Sequence, residues 1–171
     1  MTQTQSAFFA KVWDFIFTDT RTSFLWLVVR LYLGWTWLEA GIEKFNSPAW
    51  TGSAAGSAVK GFLLGALKKT TGDHPDVQSW YAWFINHAVL PHATLFSYLV
   101  TYGEILVGIA LILGLFTALA SFFGAFMNMN YLLAGTVSVN PILLILAILL
   151  LVAHKIAGHI GLDYFWRKRS S

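Results

Sequence analysis

Four apolar segments, each about 20 residues long, constrain this chain more than any other feature of its sequence. They cover residues 22–43, 94–116, 118–136 and 141–157. A helix needs roughly 20 mostly apolar residues to cross the hydrocarbon core of a bilayer, because each residue advances it by about 1.5 Å. Charged residues make up only 11% of the 171 residues, whereas a soluble domain carries about a quarter. The sequence therefore predicts an integral membrane protein and excludes a disordered chain.

The spacing of these segments predicts how the helices are arranged. The links between the second, third and fourth segments are only a few residues long, so successive helices must run antiparallel. Pro141 stands at the start of the last segment, where the first turn of a helix tolerates proline. We therefore expect an all-α fold, in which residues 1–171 form one domain built as a polytopic four-helix membrane bundle.

Two regions outside the four segments also show helical patterns. Apolar residues recur at helical spacing over residues 8–17, which is typical of an N-terminal helix at the membrane interface. A disordered leader is the alternative. The loop over residues 46–92 is too long for a plain connection. Its patterns at 54–67 and 77–88 predict two short helices, which either cap the outer mouth of the bundle or rest on lipid headgroups.

Basic residues indicate the orientation of the chain in the membrane. The N-terminal flank carries Lys11 and Arg21, and the tail carries basic residues at 167–169, whereas the two short links carry no Lys or Arg. An even number of spans places both termini on one side, and these charges favour the cytoplasm. Four lysines in or beside the long loop argue in the opposite direction.

Composition excludes several classes of function. The sequence has no cysteine, which excludes disulfides, iron–sulfur clusters and thiolate metal sites. The net charge is only +3, and no basic run alternates with aromatic residues, which argues against a nucleic-acid partner. No two histidines are spaced four apart on one helix, and only His154 lies well inside a segment. We therefore predict no metal site and do not expect haem.

Polar residues inside the apolar segments are the candidates for a functional site, since charges in hydrocarbon are costly. Helical spacing places the polar and small residues on three stripes: Trp26, Arg30, Gly34, Trp37 and Gly41; Ser97, Thr101, Glu104 and Gly108; Ser121, Gly124, Asn128 and Tyr131. Depths counted at about 1.5 Å per residue put four side chains within a turn or two of one level: Arg30, Glu104, Asn128 and His154. We expect Arg30 to pair with Glu104 while the other two complete the hydrogen bonds. Alternatively, the cluster only fixes the register of the bundle.

A second polar group lies nearer the outer end of the first segment. Glu39 and Glu43 are four residues apart and share a helix face, on the side away from Arg30. Lys44 follows at the predicted membrane boundary. The functional interpretation is a proton-handling carboxylate near the outer face. The alternative is an ordinary helix end, with the lysine reaching toward lipid headgroups.

Three stretches resemble motifs of the DoxX/DoxD family of small membrane proteins. Residues 30–45 read RLYLGWTWLEAGIEKF, residues 103–116 read GEILVGIALILGLF, and residues 157–165 read AGHIGLDYF. The resemblance implies a four-span bundle in the cytoplasmic membrane of a prokaryote. DoxD members are subunits of thiosulfate:quinone oxidoreductase, which has a second subunit, while other DoxX proteins are linked to oxidative or thiol stress. The recurrent polar positions of the family match four residues here: Arg30, Glu39, Lys44 and Glu104.

These observations lead to the hypothesis of a quinone-linked oxidoreductase subunit. A quinone needs an apolar slot with a donor and a proton source. The residues expected to hold it are Arg30, Trp37, Tyr102, Asn128, Tyr131 and His154. Glu104, Glu39 and Arg30 are the expected catalytic residues, and Lys44 with Glu43 is expected to meet an anionic sulfur substrate. Expected partners are the bilayer, the quinone, and a second subunit or another copy of the chain. The alternatives are a non-catalytic scaffold for a partner protein and a small transporter, although no inverted repeat supports the transporter.

Overall fold

The computed structural model describes residues 3–169, and all regular structure in that range is helical. The helices are α1 (Gln3–Thr18), α2 (Ser23–Phe45), α3 (Ser57–Leu67), α4 (Ser79–Phe84), α5 (Ala93–Leu113), α6 (Thr117–Leu133), α7 (Asn140–Val152), α8 (His154–Ala157) and α9 (Leu162–Arg169). The predicted all-α class is therefore confirmed. The helix predicted at the N-terminus is α1, and the pieces predicted in the long loop are α3 and α4.

The antiparallel pair α2 and α5 forms the centre of the fold, and glycines allow the two helices to approach closely. A Cβ added at Gly108 would lie 2.6 Å from the backbone nitrogen of Leu38. A Cβ added at Gly41 would lie 2.8 Å from the backbone nitrogen of Ile105. These contacts fix which turn of α2 faces which turn of α5.

The helical stretch that contains α5 begins further back in the chain than the predicted segment 94–116. The aromatic helix α4 runs through a π turn (Ile85–Val89) and a 3₁₀ turn (Leu90–His92) directly into α5. Pro91 has no N–H to donate, and the changes in helical pitch allow the chain to remain helical around it. The resulting stretch, Ser79–Leu113, has 35 residues and is the one helix within 3–169 whose length and apolar composition suffice to cross a membrane.

The last predicted segment, 141–157, is interrupted. Helix α7 starts with Pro141 in its first turn, as predicted, and ends at Val152. A turn at Ala153 separates it from the four-residue helix α8. The N–H of Ile156 bonds to the carbonyl of Ala153 at 2.8 Å, a tighter turn than the α-helical pattern allows. The carbonyls of Ala157 and Ile160, which follow this break, contact Arg30.

Two apolar clusters divide the interior. The larger is shared by α2, α5, α6, α7 and α8, and its fully buried members include Leu33, Leu111 and Leu150. The smaller lies beneath the long loop, where Val59 and Leu63 of α3 pack with Tyr81 and Ile85. We call this second layer the loop cap.

The predicted inward stripes are confirmed, since their members are buried or, for Tyr131, half-buried.

The N-terminal helix α1 packs on the start of α2. Phe17 of α1 packs on Trp26, and the indole N–H of Trp26 donates to the carbonyl of Ile16 at 2.8 Å. Helix α1 leaves several aromatic side chains exposed: Phe8, Phe9, Trp13 and Phe15.

Candidate functional site

The most unusual group in the fold is a carboxylate in the interior of the bundle. Glu104 of α5 is 1% exposed. The Nζ atom of Lys44 lies 2.7 Å from Oε2 of Glu104, and the hydroxyl of Tyr131 donates to Oε1 at 2.7 Å. These three side chains, which we call the Glu104 triad, come from α2, α5 and α6. The triad therefore joins three helices through one buried charge.

Aromatic rings enclose the triad. The Nζ atom of Lys44 lies 5.2 Å from the centroid of the Trp50 ring, a cation–π contact. Phe62 of α3 meets the ring of Tyr131 edge-on, with 6.1 Å between centroids. Only 19% of the Lys44 side chain is exposed, so the lysine is held in the fold and does not extend into the surroundings. Neither Trp50 nor Phe62 was among the predicted site residues: residues 54–67 were expected to form a helix capping the bundle, but spacing does not show which residues of the long loop contact Lys44 or Tyr131.

Arg30 belongs to a different site, about two turns from the start of α2. It is 1% exposed, and its guanidinium donates to the carbonyls of Ala157 at 2.7 Å and Ile160 at 2.6 Å. Gly114 adopts a left-handed conformation beside it (φ +64°), and a Cβ there would overlap the guanidinium. We call these residues, together with Asp163, the Arg30 cluster.

Asp163 completes the Arg30 cluster. Its two carboxylate oxygens accept hydrogen bonds from the backbone N–H groups of Phe116 at 2.7 Å and Thr117 at 2.9 Å, at the start of α6. Its own N–H donates to the carbonyl of Gly114 at 2.8 Å. The carboxylate thus satisfies backbone donors that the first turn of a helix leaves unpaired. The closing motif of the sequence contained this residue, but helical spacing did not reveal its partners.

The predicted pair between Arg30 and Glu104 is wrong, because the two residues lie at different levels. The first two turns of α5 extend past the end of α2, so Glu104 faces Gly41 and Lys44 at the last turns of α2. Arg30 instead lies level with Gly114, beyond the last turn of α5. The 14 residues from Arg30 to Lys44 correspond to about 21 Å along the helix. The depth count assumed aligned helix ends, and the real ends are staggered.

Asn128 does not complete the hydrogen bonds of that pair. It is fully buried on α6, and neither its amide nitrogen nor its amide oxygen has a hydrogen-bond partner among residues 3–169. Trp37 is also buried, and its indole nitrogen is likewise unpaired within the described chain. His154 sits at the start of α8, half-buried, with Nδ1 2.8 Å from the carbonyl of Leu151. The expected four-residue cluster is therefore dispersed over the bundle.

The remaining predicted residues lie on the outside. Glu39 and Glu43 are exposed on α2, and neither carboxylate is enclosed as Glu104 is. Tyr102 is 44% exposed, so it does not line an interior slot. Its ring stacks on Tyr98 and meets Phe45 edge-on, each at 6.2 Å between centroids. These three rings form an outward-facing aromatic surface, which we call the aromatic face, and Phe45 follows Lys44 directly in the chain.

Possible metal ligands do not cluster in the part of the chain that the structure describes: no three His, Asp or Glu side chains in residues 3–169 come together.

The comparisons with known proteins bear on the same region. The model of the DoxX family matches residues 25–140, a range that contains α2 from Leu25 onward, α3 to α6 and the Glu104 triad. No curated protein and no solved structure matches the chain.

Proposed function

Because the chain belongs to the DoxX family, a family of membrane proteins, we propose that it is the integral subunit of a quinone-linked oxidoreductase, with α2, α5, α6 and α7 as four membrane spans. Its termini face the cytoplasm of a prokaryotic cell, and it works with a second subunit or a second copy. The length of α2 and the apolar stretch Ser79–Leu113 support the assignment of α2 and α5 as membrane spans. Helix α7 has 13 residues, about 20 Å, and reaches further through α8.

The observation that carries the proposal is the Glu104 triad. A carboxylate that is 1% exposed within an apolar bundle is costly, and such residues in membrane proteins usually serve a function. Glu104 has two neighbours that bear protons, the ammonium of Lys44 and the hydroxyl of Tyr131. A set of this kind can hold a proton and pass it to an acceptor in a place closed to bulk solvent.

A bound quinone would supply the redox chemistry, since it accepts two electrons and two protons and becomes a quinol. The chain offers both kinds of contact that such a ring needs. The aromatic face, formed by Phe45, Tyr98 and Tyr102, provides flat apolar surfaces beside Lys44. The amide of Asn128, fully buried and unpaired within residues 3–169, lies one helical turn from Tyr131 and would donate to a carbonyl only of a ring that enters the bundle.

The electron donor in this proposal is an anionic sulfur compound such as thiosulfate, as the resemblance to DoxD subunits implies. The sequence has no cysteine, so substrate sulfur cannot be carried as a protein persulfide. Electrons must then pass directly to the quinone or through a cofactor of the partner subunit. Since Lys44 already pairs with Glu104, its role toward the sulfur anion would require the ion pair to open.

A scaffold function is the competing proposal, and one observation favours it. The members of the Glu104 triad satisfy one another, and they tie α2, α5 and α6 together. A purely structural clamp would have the same contacts. On this view the loop cap, with the exposed rings of Trp80 and Trp83, would be the surface that meets a partner.

The test uses the full-length protein purified in mild detergent. Lipid extracts are analysed for quinone, and a water-soluble quinone analogue is titrated against tryptophan fluorescence. We expect co-purified quinone and saturable quenching, with the analogue bound about tenfold more weakly in Glu104→Gln. The control variant is Asp73→Asn, which removes an exposed carboxylate of the long loop.

The two proposals predict different results for Glu104→Gln. In an oxidoreductase subunit, Glu104→Gln should weaken analogue binding about tenfold while thermal unfolding stays cooperative. A scaffold should bind no quinone in any variant, and Glu104→Gln should change only its stability. Wild-type protein without quinone and without saturable quenching would refute the oxidoreductase.

A further inference from the structure

A row of buried polar side chains runs along α6. Thr117, Ser121 and Asn128 are spaced four and seven residues apart, so they share one face of the helix, and each is fully buried. The hydroxyls of Thr117 and Ser121 and both amide atoms of Asn128 have no hydrogen-bond partner among the residues that the structure describes. The 11 residues from first to last correspond to about 16 Å. We call these three residues the α6 polar row.

Trp37 of α2 fills the gap in the row. Its indole nitrogen is also buried and unpaired within residues 3–169. A Cβ added at Gly124 would lie 3.1 Å from that nitrogen, so the indole N–H approaches α6 at Gly124. Gly124 lies between Ser121 and Asn128 on the same helix face. The unpaired polar atoms therefore follow one another along the core and are not scattered through it.

Each end of the row meets one of the two buried charged sites. Thr117 is held by Asp163, whose carboxylate accepts its N–H at 2.9 Å, and Asp163 is half-buried. Three residues after Asn128, Tyr131 donates its hydroxyl to Glu104. The α6 polar row thus connects the Arg30 cluster to the Glu104 triad, which the antiparallel register of α2 and α5 keeps apart.

Unpaired polar groups in a protein interior are rare, because burial removes their bonds to water and nothing replaces them. Several such groups in line are what a chain of internal water molecules requires, since each bound water needs two or more polar partners. Hydroxyl groups can both donate and accept, while the indole and the amide can hold water molecules in place.

We propose that water molecules bound along the α6 polar row conduct protons between the Asp163 end of the bundle and Glu104. A proton enters at the Asp163 end, each water accepts one proton and releases another, and the carboxylate of Glu104 takes up the last. No proton is created or consumed on the way. The groups that face Glu104 are Lys44 from α2 and Tyr131 from α6, with Glu43 nearby. The inference deepens the proposed function, because it supplies the protons that quinone reduction at the triad would take up.

The experiment measures water and protons without a quinone. Wild-type protein in lipid nanodiscs is studied by infrared difference spectroscopy after a jump from alkaline to acid pH. Internal waters are identified as O–H stretching bands that shift in heavy-oxygen water. The carboxyl band of Glu104 is assigned by its loss in Glu104→Gln, and its rate of appearance reports proton arrival.

The matched variants separate the row from its surroundings. In Asn128→Leu and in the smaller change Ser121→Val, we expect the water bands to disappear and proton arrival at Glu104 to slow by about tenfold or more. Thr101→Val is the control, since Thr101 is a fully buried hydroxyl on α5 that is already paired with the carbonyl of Ser97 at 2.9 Å. It should keep the bands and the rate of the wild type.

Wild-type protein without shifting water bands would overturn the proposal. So would variants of the row that keep the wild-type rate of Glu104 protonation. Neither result depends on quinone, so failure of the oxidoreductase proposal would leave this test intact. A bundle that conducts protons without binding quinone would instead favour a transport role for the same residues.

Discussion

The ion pair between Lys44 and Glu104 gives the sharpest stability prediction. The change Lys44→Met keeps an unbranched side chain of similar length and removes the charge that lies 2.7 Å from Oε2 of Glu104. At an effective dielectric constant of 20, that distance corresponds to about 6 kcal/mol of attraction. Part of this attraction offsets the cost of removing Lys44 from water. Breaking a buried pair typically destabilises by about 3–5 kcal/mol, and the remaining bond from Tyr131 favours the lower value, about 3 kcal/mol.

The reverse change should cost less, and this asymmetry follows from burial. In Glu104→Gln the lysine loses its partner, but its side chain is 19% exposed and sits in the last turn of α2, so it can turn toward the membrane boundary. We expect a loss of about 1–2 kcal/mol. In the double variant no charge is left unpaired, so its total loss should be smaller than that of Lys44→Met alone. The coupling energy in the cycle should be about 2–3 kcal/mol.

The assay is reversible unfolding in mixed micelles with increasing sodium dodecyl sulfate, followed by tryptophan fluorescence and far-ultraviolet circular dichroism. Lys60→Met is the matched control, because it makes the same substitution at an exposed position of α3 and should stay within about 0.5 kcal/mol of the wild type. If Lys44→Met also stayed within that range, or if the two single effects simply added, the pair would not be coupled and the reasoning would be refuted.

Three further predictions test other parts of the fold. In the same unfolding assay, Gly108→Val should lower the free energy of unfolding by about 3 kcal/mol, because its Cβ would lie 2.6 Å from the backbone of α2. Gly61→Ala on α3 is the control: the added Cβ meets open space, so the free energy of unfolding should not change. Arg30→Met should lower the free energy of unfolding by about 3 kcal/mol, because two carbonyls in the segment after α7 lose their donor. Amide hydrogen exchange should therefore become faster in that segment first, and an equal increase along the whole chain would contradict the prediction. Hydrogen bonds from Arg21 lower the pKa of Asp19, whose side chain is 24% exposed, to about 2. Its contribution to the stability of the turn before α2 should therefore be complete above the ordinary aspartate pKa of about 4 and lost as pH falls through about 2. An NMR titration of the Asp19 carboxyl checks this, and a midpoint near 4 would refute it.

Periodicity in the sequence was enough to predict the helices and their inward faces. The apolar segments became α2, α5, α6 and α7 with ends shifted by a few residues, and the stripes through Arg30, Glu104 and Asn128 are buried. This succeeds because helical spacing is a local property of the chain. The interruption at Ala153 and the continuity of α4 with α5 were not predicted, because both depend on how a turn packs against other helices.

The partners of the buried polar residues could not be predicted from the sequence. Spacing tells which face of a helix a residue occupies, but the level of that residue relative to another helix depends on the offset between them. Close contacts at Gly41 and Gly108 set that offset for α2 and α5. They bring Glu104 to Lys44 and leave Arg30 with backbone carbonyls about 21 Å away along α2. The sequence by itself determined that the chain is helical and which side chains are buried; the packing of one helix backbone on another decided which buried charges meet.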